Sequence, residues 1–115
     1  MRLNEAVCMV MINDFGQVVC MERKGDPNNI GLPGGGVEDF DSNLEAAAKR
    51  ECKEETNLDT QEPQAIYSAQ SGGCICTTFL AKSFSGVLAS SNEGRVFWDE
   101  PKRLLDGEFM EYNFQ

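Results

Sequence analysis

An α/β fold built on a mixed β-sheet is the architecture this sequence predicts, and three observations predict it. Residues 42–56 space Leu44, Ala47, Ala48 and Cys52 as an apolar stripe at the helical period. Short runs rich in Val, Ile, Met, Cys and Phe flank that segment on both sides at strand length. A chain of 115 residues with 41% hydrophobic content suits one compact domain with one core, taken as residues 1–115.

The elements follow in order. Residues 6–12 read as a strand, Asn13-Asp14-Phe15-Gly16 carries turn chemistry, and residues 17–23 read as a second strand, so the two are expected to form a hairpin. Residues 24–29 are a polar, breaker-rich loop placed where it could gate a substrate. Leu32-Pro33-Gly34-Gly35-Gly36-Val37-Glu38 is a glycine-rich bend. Ser42-Asn43-Leu44-Glu45 has the spacing of a capping box, with Ser42 as N-cap and Glu45 at N3. Asn57 stands where a helix ends on a left-handed residue, a place usually taken by Gly and next most often by Asn. Residues 65–68 begin a strand that the Gly72-Gly73 turn separates from residues 74–82. Ser85-Gly86 marks a turn before a strand at residues 87–89. The polar loop 90–94 then leads to a strand at residues 95–98. Asp99-Glu100-Pro101 starts a last short helix, and Gly107 is its stop signal.

Charge and cysteine usage exclude several function classes. A net charge of −9 argues against a nucleic-acid polymer as partner, because such binding needs a basic surface. The longest apolar run, residues 6–12, is far too short to span a membrane and lacks a signal peptide's cleavage region, so the cytoplasm is the expected compartment. Five cysteines form no Cys-x-x-Cys pair and leave an odd count, which argues for buried, reduced thiols rather than a disulfide framework. With no histidine, Ser-His-Asp and Cys-His catalysis are excluded, and a general base must be a carboxylate, a lysine or a tyrosine.

The chemistry is concentrated in Arg50-Glu51-Cys52-Lys53-Glu54-Glu55, downstream of the glycine bend. On a helix Glu51, Glu54 and Glu55 stand at i, i+3 and i+4, three carboxylates on one face. Like charges at that spacing cost about 0.2–0.5 kcal/mol per pair when exposed, and more when desolvated, so a divalent cation is the natural partner. Hard oxygen ligands suit Mg²⁺ or Mn²⁺, and Mg²⁺ completes its shell with substrate phosphate oxygens. The glycine run lacks a following Gly-Lys-Ser/Thr, which excludes a P-loop.

Together these residues resemble the box of the Nudix hydrolases: Gly, five residues, Glu, seven residues, Arg-Glu-hydrophobic-x-Glu-Glu-x-Gly-hydrophobic. Gly35 opens it, residues 50–55 reproduce its core, and Leu58 supplies the last apolar position. Asp41 stands in place of the first Glu, the spacer from Asp41 to Arg50 is one residue longer, and Asn57 replaces the closing Gly. The resemblance implies the Nudix-type α/β/α sandwich with a mixed sheet. It implies Glu51, Glu54 and Glu55 as Mg²⁺ ligands, with a backbone carbonyl of Gly34 or Gly35 beside them, and Arg50 as structural support that orients a box glutamate. Arg23, at the end of the second strand, falls where such enzymes often carry a phosphate-contacting arginine. Residues 84–98 are similar to the corresponding stretch of bacterial 8-oxo-dGTP diphosphatases of the MutT/MutX type, and Glu93 falls where many of these relatives carry an extra glutamate. The implied general base is Glu54, Glu55 or Glu93, and Asn113 is a candidate for base recognition.

The implied reaction is Mg²⁺-assisted hydrolysis of a small nucleotide linked through a diphosphate, foremost a nucleoside triphosphate such as 8-oxo-dGTP, by a monomer or homodimer. The alternatives are another substrate of the same family, such as ADP-ribose, or a non-catalytic module that binds a nucleotide or a protein.

Overall fold

A computed structural model of the chain describes residues 4–26 and 28–105. Its centre is a four-stranded mixed sheet in the order β4-β1-β7-β6, made of β1 (Glu5–Met11), β4 (Gly34–Gly36), β6 (Gln64–Ser71) and β7 (Cys74–Ala81). β1 and β7 run parallel, from Glu5↔Ile75 to Met11↔Ala81, and the other pairings are antiparallel. A three-stranded sheet joins β3 (Ile30–Gly31), β2 (Val18–Arg23) and β9 (Gly94–Asp99), while β5 (Asp59–Gln61) pairs with β8 (Ser83–Ser85).

Period-two alternation divides the core between two layers. Val7, Met9 and Met11 of β1 and Val19 and Met21 of β2 pack under Ala47, Ala48 and Cys52 of the helix α1 (Leu44–Thr56). Cys8 of β1 and Val18 and Cys20 of β2 point the other way, toward Ile30, Leu32 and Leu104. Small residues on α1 let it lie close to the sheet. Met9 and Met11 beneath it are fully buried, so truncating either to Ala should destabilise by about 2–5 kcal/mol. Among the described residues the second helical layer is a single 3₁₀ turn, Pro101–Leu105. No described helix is long and apolar enough to cross a membrane.

Several expectations are corrected. β1 and β2 are not a hairpin. The turn forms, with Asn13 Oδ1 accepting from the backbone N–H of Phe15 and Gln17 at 2.9 and 3.0 Å, but a lone Ile12↔Val18 bridge joins the strands before each enters its own sheet. Both edges of β1 are taken by β4 and β7, and both edges of β2 by β3 and β9, so turn chemistry fixes the reversal and not the ladder. The helix N-cap is Asn43 rather than Ser42: Asn43 Oδ1 accepts from Ala46 N at 2.8 Å, which moves Glu45 out of N3 and dissolves the capping box. Residues 87–89 form no strand. Val87 O instead accepts from Asn57 Nδ2 at 3.0 Å and Ala89 N donates to Thr56 O, tying this loop to the end of α1. All five cysteines are free thiols, and burial pushes those of Cys20 and Cys52 up to about 11.

Candidate active site

The site is assembled by α1, the glycine strand β4 and the loop before β9. Register places Gly35 opposite Val7 and Gly34 opposite Cys8. A Cβ on Gly34 would strike Val7 O and the Cys8 backbone, and one on Gly35 would strike the Glu51 carboxylate. Glycine is therefore required twice, once for strand packing and once for the approach of an acidic side chain. At the far end of α1, Asn57 takes the left-handed conformation at φ 68° and its N–H returns to Lys53 O, so the helix stops just beyond Glu55.

Each carboxylate has a distinct setting. Glu55 is buried, and its Oε1 accepts from Gly34 N at 2.7 Å. Burial first, then a hydrogen bond with the Glu93 carboxyl, pushes Glu55 up to about 8, against the pull of the Gly34 N–H. Glu51 is partly buried and accepts from Arg50 Nη1 at 2.7 Å; burial raises its pKa while Arg50 opposes the rise. Glu54 is about half exposed and meets the same nitrogen at 3.3 Å.

Arg50 is the hub. Its Nε and Nη2 donate to Asp41 Oδ1 and Oδ2 at 2.9 and 2.8 Å, and Nη2 also reaches Gly36 O at 3.2 Å. The Phe40 ring lies 5.1 Å from its Cζ. Asp41 is almost fully buried and its Oδ2 also accepts from Glu38 N at 2.8 Å, so this carboxylate is committed to fixing Arg50. These bonds hold the guanidinium firmly protonated, Asp41 foremost. The shorter side chain at position 41 and the longer spacer thus end in a bidentate pair.

Of the sequence-derived residues, Gly34, Gly35, Arg50, Glu51, Glu54, Glu55 and Glu93 come together. Glu51 and Glu54 are joined through Arg50 Nη1, and among the described residues no three acidic or thiol side chains converge closely enough to enclose an ion. Arg23 ends β2 and lines an adjoining cleft, and Asn113 lies outside the described residues. Sequence reasoning missed Phe40 and the clamp by Asp41, and around that cleft it placed Lys24 only in a possible gating loop and gave no role to Arg95, Ser90 or Ser91. Their only signal was nearness in the chain to Arg23 and Glu93.

The NUDIX domain model matches residues 2–112. The chain belongs to the NUDIX domain family. Three solved structures share its fold: a MutT described for Aliivibrio salmonicida and Vibrio cholerae, the MutT NUDIX hydrolase of Burkholderia pseudomallei, and the mutator MutT protein of Bacillus halodurans. The first has a TM-score of 0.81 at 22% identity, covering 96% of this chain and 90% of that one. The second has 0.72 at 22%, covering 83% and 81%. The third has 0.75 at 24%, covering 90% and 72%. No curated protein matches by sequence. Membership makes the chain a Nudix hydrolase, an enzyme that cleaves phosphoanhydride bonds in small nucleoside diphosphate-linked substrates, and such enzymes generally use divalent cations.

Proposed function

We propose that this Nudix hydrolase cleaves a nucleoside triphosphate, with an oxidised purine nucleotide such as 8-oxo-dGTP as the leading substrate, to the monophosphate and pyrophosphate. The observation that carries the reading is the seating of Glu51 and buried Glu55 of α1 against the glycine strand, where Glu55 Oε1 accepts from Gly34 N at 2.7 Å and the Glu51 carboxylate fills the space a Cβ on Gly35 would need. The MutT names of the similar structures and the similarity of residues 84–98 to that type support the substrate.

The donor set fits Mg²⁺, or Mn²⁺ in its place, in its chemistry: every side-chain donor is a hard carboxylate oxygen, and Gly35 leaves the room beside the glycine strand that the Glu51 carboxylate occupies. Glu51, Glu54 and Glu55 would hold the ion, with a carbonyl of Gly34 or Gly35. A bound divalent cation neutralises phosphate oxygens and lowers the pKa of water. Arg50, anchored by Asp41, sets the positions of Glu51 and Glu54, which is the kind of support that fixes ligand geometry. Water attacks phosphorus, the bond to the bridging oxygen breaks, and a carboxylate takes the proton. Glu93 is the best placed acceptor, because it is exposed and stands outside the Arg50 network that engages Glu51 and Glu54. Arg23 would contact phosphate. The net charge of −9 supports a small nucleotide over a polymer.

The test is a hydrolysis profile over 8-oxo-dGTP, the ordinary dNTPs and ADP-ribose, with and without Mg²⁺. Pyrophosphate release from 8-oxo-dGTP at the highest kcat/KM supports the reading. A profile led by ADP-ribose overturns it.

A further inference from the structure

Nineteen acidic residues face ten basic ones in this chain, yet the walls of one cleft of about 520 Å³ carry Arg23, Lys24 and Arg95 against the single carboxylate of Glu22. The antiparallel register of β2 and β9 builds it, setting Arg23 across from Gly94 and Glu22 across from Arg95. Gly94 has no room for a Cβ because Glu22 O lies against it. Lys24 N donates to Glu93 O at 3.3 Å, which ties the two walls together.

Arg95 is fixed in place. Its Nη2 donates to Glu22 Oε2 at 2.9 Å and its Cζ lies 4.4 Å from the centre of the Phe97 ring. One ion pair leaves further N–H donors on the guanidinium to turn toward an anion. The hydroxyls behave alike: Ser90 Oγ accepts from Val96 N at 3.0 Å and Ser91 Oγ from Glu93 N at 3.2 Å, so each can still donate its proton. Asn92 and Gly94, on either side of Glu93, also line the cleft, so the loop that carries the Glu93 carboxylate forms one of its walls.

We propose that this cleft receives the terminal phosphate of a nucleoside triphosphate, with Arg95 and Lys24 as its anchors. The inference rests on the nucleotide hydrolysis proposed above and deepens it, because a fixed guanidinium with nearby hydroxyl donors recognises a phosphate that ADP-ribose lacks.

The experiment is steady-state kinetics on a purine nucleoside triphosphate and its matching diphosphate, using wild type, Arg95→Ala, Arg95→Lys and Lys24→Ala. Arg95→Ala should raise KM for the triphosphate about 10–100-fold, with a smaller change in kcat. The penalty on the triphosphate should exceed that on the diphosphate by about tenfold or more, Arg95→Lys should recover part of it, and inhibition by pyrophosphate should weaken in parallel. Should Arg95→Ala fail to fold, the exposed Lys24→Ala carries the same comparison. Equal penalties on both nucleotides, or none, overturn the cleft assignment and leave the hydrolase reading standing. A wild type inert toward every nucleotide overturns both.

Discussion

Replacing Asp41 with Ala should destabilise the protein by about 2–4 kcal/mol. The Asp41 side chain is 3% exposed and accepts two bonds from Arg50, at 2.9 and 2.8 Å, and one from Glu38 N at 2.8 Å. Bonds to charged groups contribute about 1.5–3 kcal/mol each, so simple addition would give more. Arg50, however, is 20% exposed and keeps Glu51, Gly36 O and the Phe40 ring, so water and these neighbours recover part of the loss. In a chain of this length the expected fall in Tm is roughly 8–16 °C. Urea unfolding followed through Trp98, the only tryptophan, reads it as a lower midpoint with an unchanged slope. Asp41→Asn should lose less, since its amide keeps the shape. An Asp41→Ala protein within about 0.5 kcal/mol of wild type would refute the clamp.

Glu55 predicts a pH dependence with a definite sign. Its folded pKa is raised to about 8 from an ordinary 4.5, so its contribution to stability is full below the lower value and is lost as pH rises through the upper one. In a chelator, Tm should fall from about pH 5 to about pH 9, and Glu55→Gln should flatten the profile; a wild-type curve as flat as the variant's contradicts the burial argument. The two glycines separate packing from ligand placement. Gly34→Ala should cost about 3 kcal/mol or more, because backbone must move. Gly35→Ala should melt close to wild type yet need about tenfold more Mg²⁺, because the added methyl displaces only the end of Glu51. Thermal scans and Mg²⁺ titrations of activity distinguish the pair. Glu54→Gln should lower kcat by roughly 10²–10⁴-fold, and unchanged turnover would remove Glu54 from the mechanism.

What could be read in the sequence was whatever local chemistry decides. Asn57 signalled the helix end because few residues tolerate φ 68°. Gly72-Gly73, both at positive φ, signalled the turn between β6 and β7. The stripe of Ala47, Ala48 and Cys52 gave the buried face of α1. Where two neighbours share a propensity, as Ser42 and Asn43 do for capping, sequence does not choose between them. Partner choice escaped as well: β1 and β2 carry good turn chemistry, but long-range pairing decides where each strand goes. β5 and β8 escaped because Asp59–Gln61 and Ser83–Ser85 are short and polar, with no apolar alternation to read. At the site, the glutamate spacing gave the positions of Glu51, Glu54 and Glu55 on the last turns of α1. It could not foretell that Arg50 would gather two of them, or that Asp41 would hold Arg50.

Mn²⁺ uptake followed by electron paramagnetic resonance, with nucleotide present, tests the central claim most directly. Wild type should sequester the ion stoichiometrically, and Glu51→Gln and Glu55→Gln should each weaken uptake by about 10–100-fold. Free-ion signal that stays undiminished with wild-type protein and nucleotide together would contradict the assignment of these carboxylates to a divalent-cation site.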